Sequence, residues 1–341
     1  MKLEVGGTNL DCWLRDDWGD QTVRCPVEIL EATTTLNLDY NISLLGGVTG
    51  PGTVTGRQKA DRNDVCRLIG GDWSGFTGTY NGNKDDHTRF MSDFTGSAQA
   101  RWYFPQFIRF DHAEGTVKFG KMTLTDTRHI ETQQDSTLVI EVGALNEDCA
   151  FGADTRIYAN ATRDWQDAWT RGSSTVTVKK VGTGTLTADF DAEAHVQVAE
   201  GTLSLSNTDE LLVIAVDEGA TVTATQNVTV GSVTFATGAQ VLLASADAAE
   251  VHPIAVASAV DMTGVKVAVD ATVQDALLAQ EAGDPTAYTL VTSAAGVSGK
   301  PDAEVVVTCE DTDFGWKAVV QDKALQLRRK YIKPGFFIIM K

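Results

Sequence analysis

Hydrophobic and polar residues alternate along this chain in short runs, and most of the runs sit behind a glycine. Gly50-Pro51-Gly52-Thr53-Val54-Thr55 is echoed by Gly182-Thr183-Gly184-Thr185-Leu186-Thr187, and Glu114-Gly115-Thr116-Val117-Lys118-Phe119 by Glu200-Gly201-Thr202-Leu203-Ser204-Leu205. Looser copies follow at Glu218-Gly219-Ala220-Thr221-Val222-Thr223 and Gly231-Ser232-Val233-Thr234-Phe235. A glycine permits the positive φ of a tight turn. β-Branched residues at period two mark a strand with one buried face. Between about 180 and 240 these signals recur every 12 to 18 residues, too short for a helical repeat and suited to the strands of a β-solenoid.

In such a coil the apolar residues of successive turns form one continuous interior. Val196, Val198, Leu203 and Leu205 are expected to point inward, as are Leu211, Val213, Val222, Val228, Val230, Val233 and Val241. Helical signals are sparse. Residues 273–282 are rich in good helix formers and precede Gly283, which predicts one short helix near the C-terminus. A weaker helical signal spans 165–169. The helix near 276 and the charged strand near 328 are expected to cap one end of the stack, where open rungs would expose pairing edges.

Composition divides the chain near residue 172. Six of the seven tryptophans (Trp13, Trp18, Trp73, Trp102, Trp165 and Trp169) precede it, and no arginine lies between Arg171 and Arg328. Residues 1–172 read as an irregular, aromatic-rich part of the solenoid. Residues 173–327 read as the regular Gly-Thr-Leu array with its closing rungs, and 328–341 as a basic and apolar tail. Repeat copies on both sides of 172 favour a change of decoration along one solenoid over a domain boundary. The chain has 341 residues and a formal net charge of −18, a balance that disfavours nucleic acid and anionic membranes as partners. No stretch of about 18 apolar residues is present, so no transmembrane segment is expected. The start, Met1-Lys2-Leu3-Glu4-Val5-Gly6-Gly7, lacks the apolar core of a signal peptide. Cys12, Cys25, Cys66, Cys149 and Cys309 show no zinc-site spacing and are expected to be isolated thiols, with a Cys12–Cys25 disulfide as the open alternative.

Val181-Gly182-Thr183-Gly184-Thr185-Leu186-Thr187, followed by Val196-Gln197-Val198-Ala199-Glu200-Gly201-Thr202-Leu203, resembles an autotransporter-associated β-strand repeat. Gly70-Gly71-Asp72-Trp73-Ser74-Gly75-Phe76-Thr77-Gly78-Thr79-Tyr80 is similar to a segment common in such passengers. The stretch from Ala287-Tyr288-Thr289-Leu290-Val291 through Gly315-Trp316-Lys317 to Leu325-Gln326-Leu327 resembles their closing rungs. The resemblance covers about half the chain in scattered, low-complexity pieces. It implies a right-handed parallel β-helix, with irregular loop insertions, at the bacterial surface or outside the cell. It transfers no catalytic residue. Asp189-Phe190-Asp191-Ala192-Glu193 stands where the repeat usually carries Tyr-Thr-Gly, and the membrane β-barrel of a full autotransporter is missing from this sequence. A passenger fragment, or export through the C-terminal tail, would account for that.

Phosphate-loop, zinc-protease, nucleophile-elbow and calcium-loop signatures are all missing, and no cofactor is implied. The densest polar cluster is Lys84-Asp85-Asp86-His87-Thr88-Arg89, where Asp85, Asp86 and His87 are the candidates for holding a metal. It follows the turn signal Tyr80-Asn81-Gly82-Asn83, so the competing reading is a solvated loop. Asp61-Arg62-Asn63-Asp64 reads the same way, and Asp111-His112 reads as an exposed pair. Trp102 and Tyr103, with Trp165 and Trp169, are the candidates for ligand binding, because flat aromatic faces stack on sugar rings; packing between rungs is the alternative. Three functions follow. The first is a non-enzymatic extracellular or cell-surface solenoid, a spacer or adhesin whose partners would be surface glycans or host molecules. The second is a carbohydrate-active β-helix enzyme using Asp85, Asp86, Asp111 and Arg89. The third is a carbohydrate-binding or phage-tail-type module.

Overall fold

The computed structural model describes residues 2–6, 11–14, 21–38, 42–56, 65–82, 86–105, 108–125, 129–133, 136–160, 171–172, 176–190, 194–208, 211–280, 287–302 and 314–331. The chain is an all-β parallel solenoid whose coils lay one strand on each of three faces. Leu3–Val5, Asp11–Leu14 and Gln21–Val23 form the first coil. Val27–Ile29, Thr35–Leu38 and Ile42–Leu44 pair with them in parallel, with Leu3 beside Val27, Asp11 beside Thr35 and Gln21 beside Ile42.

In the regular part Val178, Val196, Ile214 and Val233 are successive register partners on the first face, and Leu186, Leu203, Val222 and Val241 on the second. A coil there advances 17 to 19 residues. The tighter spacing in the sequence mixes two faces. Ser232–Phe235 is a first-face strand, whereas Thr185–Phe190, Thr202–Thr208 and Thr221–Ala224 belong to the second. The ladders also run across residue 172, since Glu141 pairs with Lys179 and Ala150 with Thr187.

The glycine of the strand signal sits at the corner between first and second faces. Gly201 has φ +70, and a Cβ there would lie 2.4 Å from the Gly182 carbonyl oxygen and 2.5 Å from that of Gly184. Backbone conformation and the close approach of the neighbouring coil thus both require a hydrogen at this Cα.

Alternation governs the interior. His195–Val198 and Gln240–Leu243 each bury every second residue, and Val196, Val198, Leu203, Leu205, Val222, Val228, Val230, Val233 and Val241 are all buried. Leu211 and Val213 are corrections. Leu211 is 45 % exposed and Val213 lies in the outer row beside His195 and Ser232, while Leu212, Ile214 and Val216 fill the interior. The run 211–216 is apolar throughout, so either register fits the pattern, and the ladder with the neighbouring coils selects one.

Between residues 54 and 122 the coils are longer: Val54, Tyr80, Trp102 and Met122 are register partners 26, 22 and 20 residues apart. Their interior is aromatic. Trp73, Phe76, Tyr80, Phe90, Phe94, Trp102, Phe104, Phe110 and Phe119 are each at most 2 % exposed. Phe90 stacks on Phe94 at 4.3 Å and on Phe110 at 4.9 Å, and Trp73 meets Trp102 at 5.4 Å. Burying each large apolar side chain contributes on the order of 1.5–3 kcal/mol.

At the C-terminal end the parallel pattern stops. Ala324–Tyr331 pairs antiparallel with Ala287–Ser293 and with Phe314–Gln321, which closes the third-face sheet with a hairpin. The predicted helix is Ala271–Leu278, starting earlier than its sequence signal because the Asp270 carboxylate caps it, accepting from the Val273 amide at 2.8 Å. It buries Val273 and Leu277, and the Trp316 indole N–H donates to the Leu277 carbonyl at 3.4 Å. The helical signal at 165–169 lies outside the described residues. Cys25 and Cys149 are free thiols, so the Cys12–Cys25 disulfide is not formed.

Two substitutions test this architecture. Val198→Asp places an unpaired carboxylate in the inner row and should destabilise the fold by about 4 kcal/mol or more. An unchanged midpoint of thermal unfolding would refute the inward assignment. Gly201→Val should lower the midpoint by more than a valine at Gly115, whose Cβ position is open although its φ is also positive.

Candidate functional site

Of the candidate aromatic residues, Trp102 is interior. Trp102 is 0 % exposed and its indole N–H donates to the Ser97 carbonyl at 3.4 Å, so its ring offers no face to a ligand. The neighbouring Tyr103 is half-buried on the opposite, outer side of the strand. Trp165, Trp169, Asp85 and the 61–64 cluster lie outside the described residues. Asp86 and His87 begin the strand Asp86–Phe90, pairing with Val65 and Cys66. Among the described residues, no three His, Cys, Asp or Glu side chains come together as metal ligands would.

Charge does converge elsewhere on the third face. The strands Asp86–Phe90, Ile108–Phe110 and His129–Gln133 lie side by side, and their parallel register brings Arg89, Arg109 and Glu131 into one row. Adjacent strands are about 4.8 Å apart, so two guanidinium groups become neighbours and need anions. Asp111, just beyond the second strand, supplies one. Its Oδ2 accepts from Arg89 Nε at 2.6 Å, and its Oδ1 lies 3.3 Å from Arg109 Nε. Glu131 flanks the other side, 3.7 Å from Arg109 Nη1. Two positive and two negative groups thus close on one another. The side chains of Arg109, Asp111 and Glu131 are 9, 8 and 4 % exposed, while Arg89 is 27 % exposed. The sequence reading of Asp111-His112 as an exposed pair is overturned, because His112 is also only 6 % exposed. Its pattern misled because the pair precedes the strand Glu114–Leu124, where a solvated turn is the default.

A second ion cluster staples coils on the second face. Arg101 and Lys121 are register partners, and Glu147 accepts from Arg101 Nε at 3.0 Å and lies 3.6 Å from Lys121 Nζ. The hydrogen bond from Arg101 holds the Glu147 carboxyl below its ordinary pKa and raises that of Arg101. Beside it, Asn146 Oδ1 accepts from the Thr183 amide at 2.9 Å, and Asp148 Oδ1 from the Thr185 amide at 2.8 Å.

Besides Arg109, sequence reasoning missed two buried cations among the described residues. Lys180 occupies the inner row between Val142 and Val198 and is 0 % exposed. Its ammonium donates to the carbonyls of Val181 and Gly182 at 2.7 Å each and of Glu200 at 3.3 Å. Burial pushes its pKa down, and burial likewise pushes the Cys149 thiol up. The signal was present in Val176-Thr177-Val178-Lys179-Lys180, where strict alternation turns one lysine inward. Arg67 is 0 % exposed as well and donates to the carbonyls of Ile42 at 3.2 Å and Leu38 at 3.4 Å.

Chemically, the third-face quartet is a closed set of ion pairs. Both carboxylates are committed to guanidinium groups and are nearly out of solvent. No protein-family model matches the chain, and no curated protein matches its sequence.

Removing one member of the quartet leaves buried charge unmatched. Asp111→Asn should therefore destabilise the fold by about 3 kcal/mol, and the double change Asp111→Asn with Arg89→Met should cost less than the sum of its parts. Additive costs in a denaturation-based double-mutant cycle would show that the pair is not coupled.

Proposed function

We propose that the chain is a non-enzymatic extracellular or cell-surface solenoid, passenger-like, serving as a spacer or adhesin. The observation that carries this reading is the fate of its charges. Arg89, Arg109, Asp111 and Glu131 neutralise one another with all but Arg89 nearly out of solvent, and Arg101, Lys121 and Glu147 pair with one another, partly exposed, on the next face. Both sets are used to hold coils together. The autotransporter-type strand repeat supports the surface location, and the outer rows supply a contact surface. Thr35, Thr53 and Thr79 are register partners on the second face, as are Thr185, Thr202 and Thr221. Such hydroxyl rows suit the hydroxyl groups of surface glycans.

One observation favours a second reading, a carbohydrate-active enzyme. Arg89, Asp111 and Glu131 are brought together along one sheet, as a polysaccharide-cleaving groove would need.

The two readings separate in one experiment. The purified chain is incubated with a panel of acidic and neutral polysaccharides, scored for new reducing or unsaturated ends, and in parallel applied to a glycan array. Binding without cleavage is expected. Cleavage that disappears in Glu131→Gln would replace the spacer reading with the enzymatic one, and an array with no signal would remove the glycan-adhesin form of it.

A further inference from the structure

His112 sits where the third face turns into the first, and it joins three successive coils. Its Nε2 lies 2.9 Å from the carbonyl oxygen of Phe94 in the preceding coil. A carbonyl only accepts, so Nε2 carries the hydrogen and Nδ1 carries the lone pair of a neutral ring. The main-chain carbonyl of His112 accepts from the Ser136 hydroxyl of the following coil at 2.8 Å, and that of Ala113 accepts from the Thr137 amide at 2.8 Å. The ring meets Phe110 edge-on at 6.1 Å, next to the stack of Phe110, Phe90 and Phe94. Nδ1 itself is buried and has no hydrogen-bond partner among the described residues.

We propose that this corner is an acid-operated latch, closed while the His112 ring is neutral and released when both ring nitrogens carry protons. The second N–H would find no acceptor among the described residues, and an unsatisfied buried donor is unfavourable. Wetting that nitrogen requires the corner to open, which breaks the contact to Phe94 and bares the edge of the aromatic coils.

Among the described residues, the charges that bear on the ring are Asp93 from the preceding coil and Asp111 beside it, and both favour the cation. Asp111 is already shared by Arg89 and Arg109, and Glu131 of the following coil lies beyond Arg109. Burial outweighs the two carboxylates and holds the ring below its ordinary pKa. The sign follows from linkage. The open form takes up the proton first, so the stability present above the ordinary histidine value of about 6.5 is lost as pH falls toward the depressed folded value.

Hydrogen exchange of the full chain between pH 7.5 and 5.0, corrected for intrinsic rates, reads the latch directly. Amides of residues 90–96 and 108–119 should exchange faster at the acid end, about tenfold for each unit by which the folded pKa is depressed. His112→Gln keeps a donor for Phe94 without a titrating ring, and it should remove that acid acceleration. Equal pH dependence in both proteins would overturn the proposal. Should His112→Gln fail to fold, nuclear magnetic resonance titration of the five histidines in the unaltered chain decides alone. A His112 ring titrating below 6.5 upholds the latch, and one titrating at or above it sinks it.

Discussion

Everything in this molecule rests on parallel, in-register pairing between one coil and the next. Parallel strands bury their side chains on the inner face and stack like residues over like. Once Val178, Val196, Ile214 and Val233 are register partners, the inner row is continuous, and the outer row of Lys179, Gln197, Ala215 and Thr234 follows without further choice. The same constraint places arginine beside arginine on the third face and lysine beside arginine on the second. Of the acids that answer them, Glu131 stands in the register row itself, while Asp111 and Glu147 come from outside the strands, where register leaves more freedom.

Much of the fold was legible from the sequence because a solenoid writes its geometry into local pattern. Alternation located the strands, and glycine located the corner. Legibility failed where the local pattern was degenerate. The apolar run 211–216 fits two registers, and only the neighbouring coils decide between them. Coil length was misread for a related reason: Gly219 and Gly231 mark different corners but look alike in sequence. The helix was placed within a few residues, since Asp270 caps it ahead of its richest stretch.

The candidate site was less legible. Trp102 was a surface candidate on residue type alone, yet strand parity turns it into the interior with the other large rings. Arg89 and Asp111 lie 22 residues apart and meet because a coil in this region is about that long, an inference that needs the coil length first. Arg109 and Glu131 join them by the same step, and neither stood out, because a lone charge on a strand is ordinary.

The polar residues that the sequence reading passed over share one task. Parallel ladders satisfy main-chain groups along strands, but at corners the chain turns and carbonyl oxygens are left without an amide partner. Arg67 donates to Ile42 and Leu38, Lys180 to Val181, Gly182 and Glu200, and His112 to Phe94. The indoles of Trp73 and Trp102 donate to Gly70 and Ser97, and the Ser97 hydroxyl donates to Phe76. Buried donors of many types thus converge on corner carbonyls, as polar satisfaction requires. A charged or ring-nitrogen residue in the interior of this solenoid is therefore first a corner fastener, and chemistry can reside only where a fastener has capacity left over. His112 meets that condition, because one nitrogen holds the corner and the other remains unused.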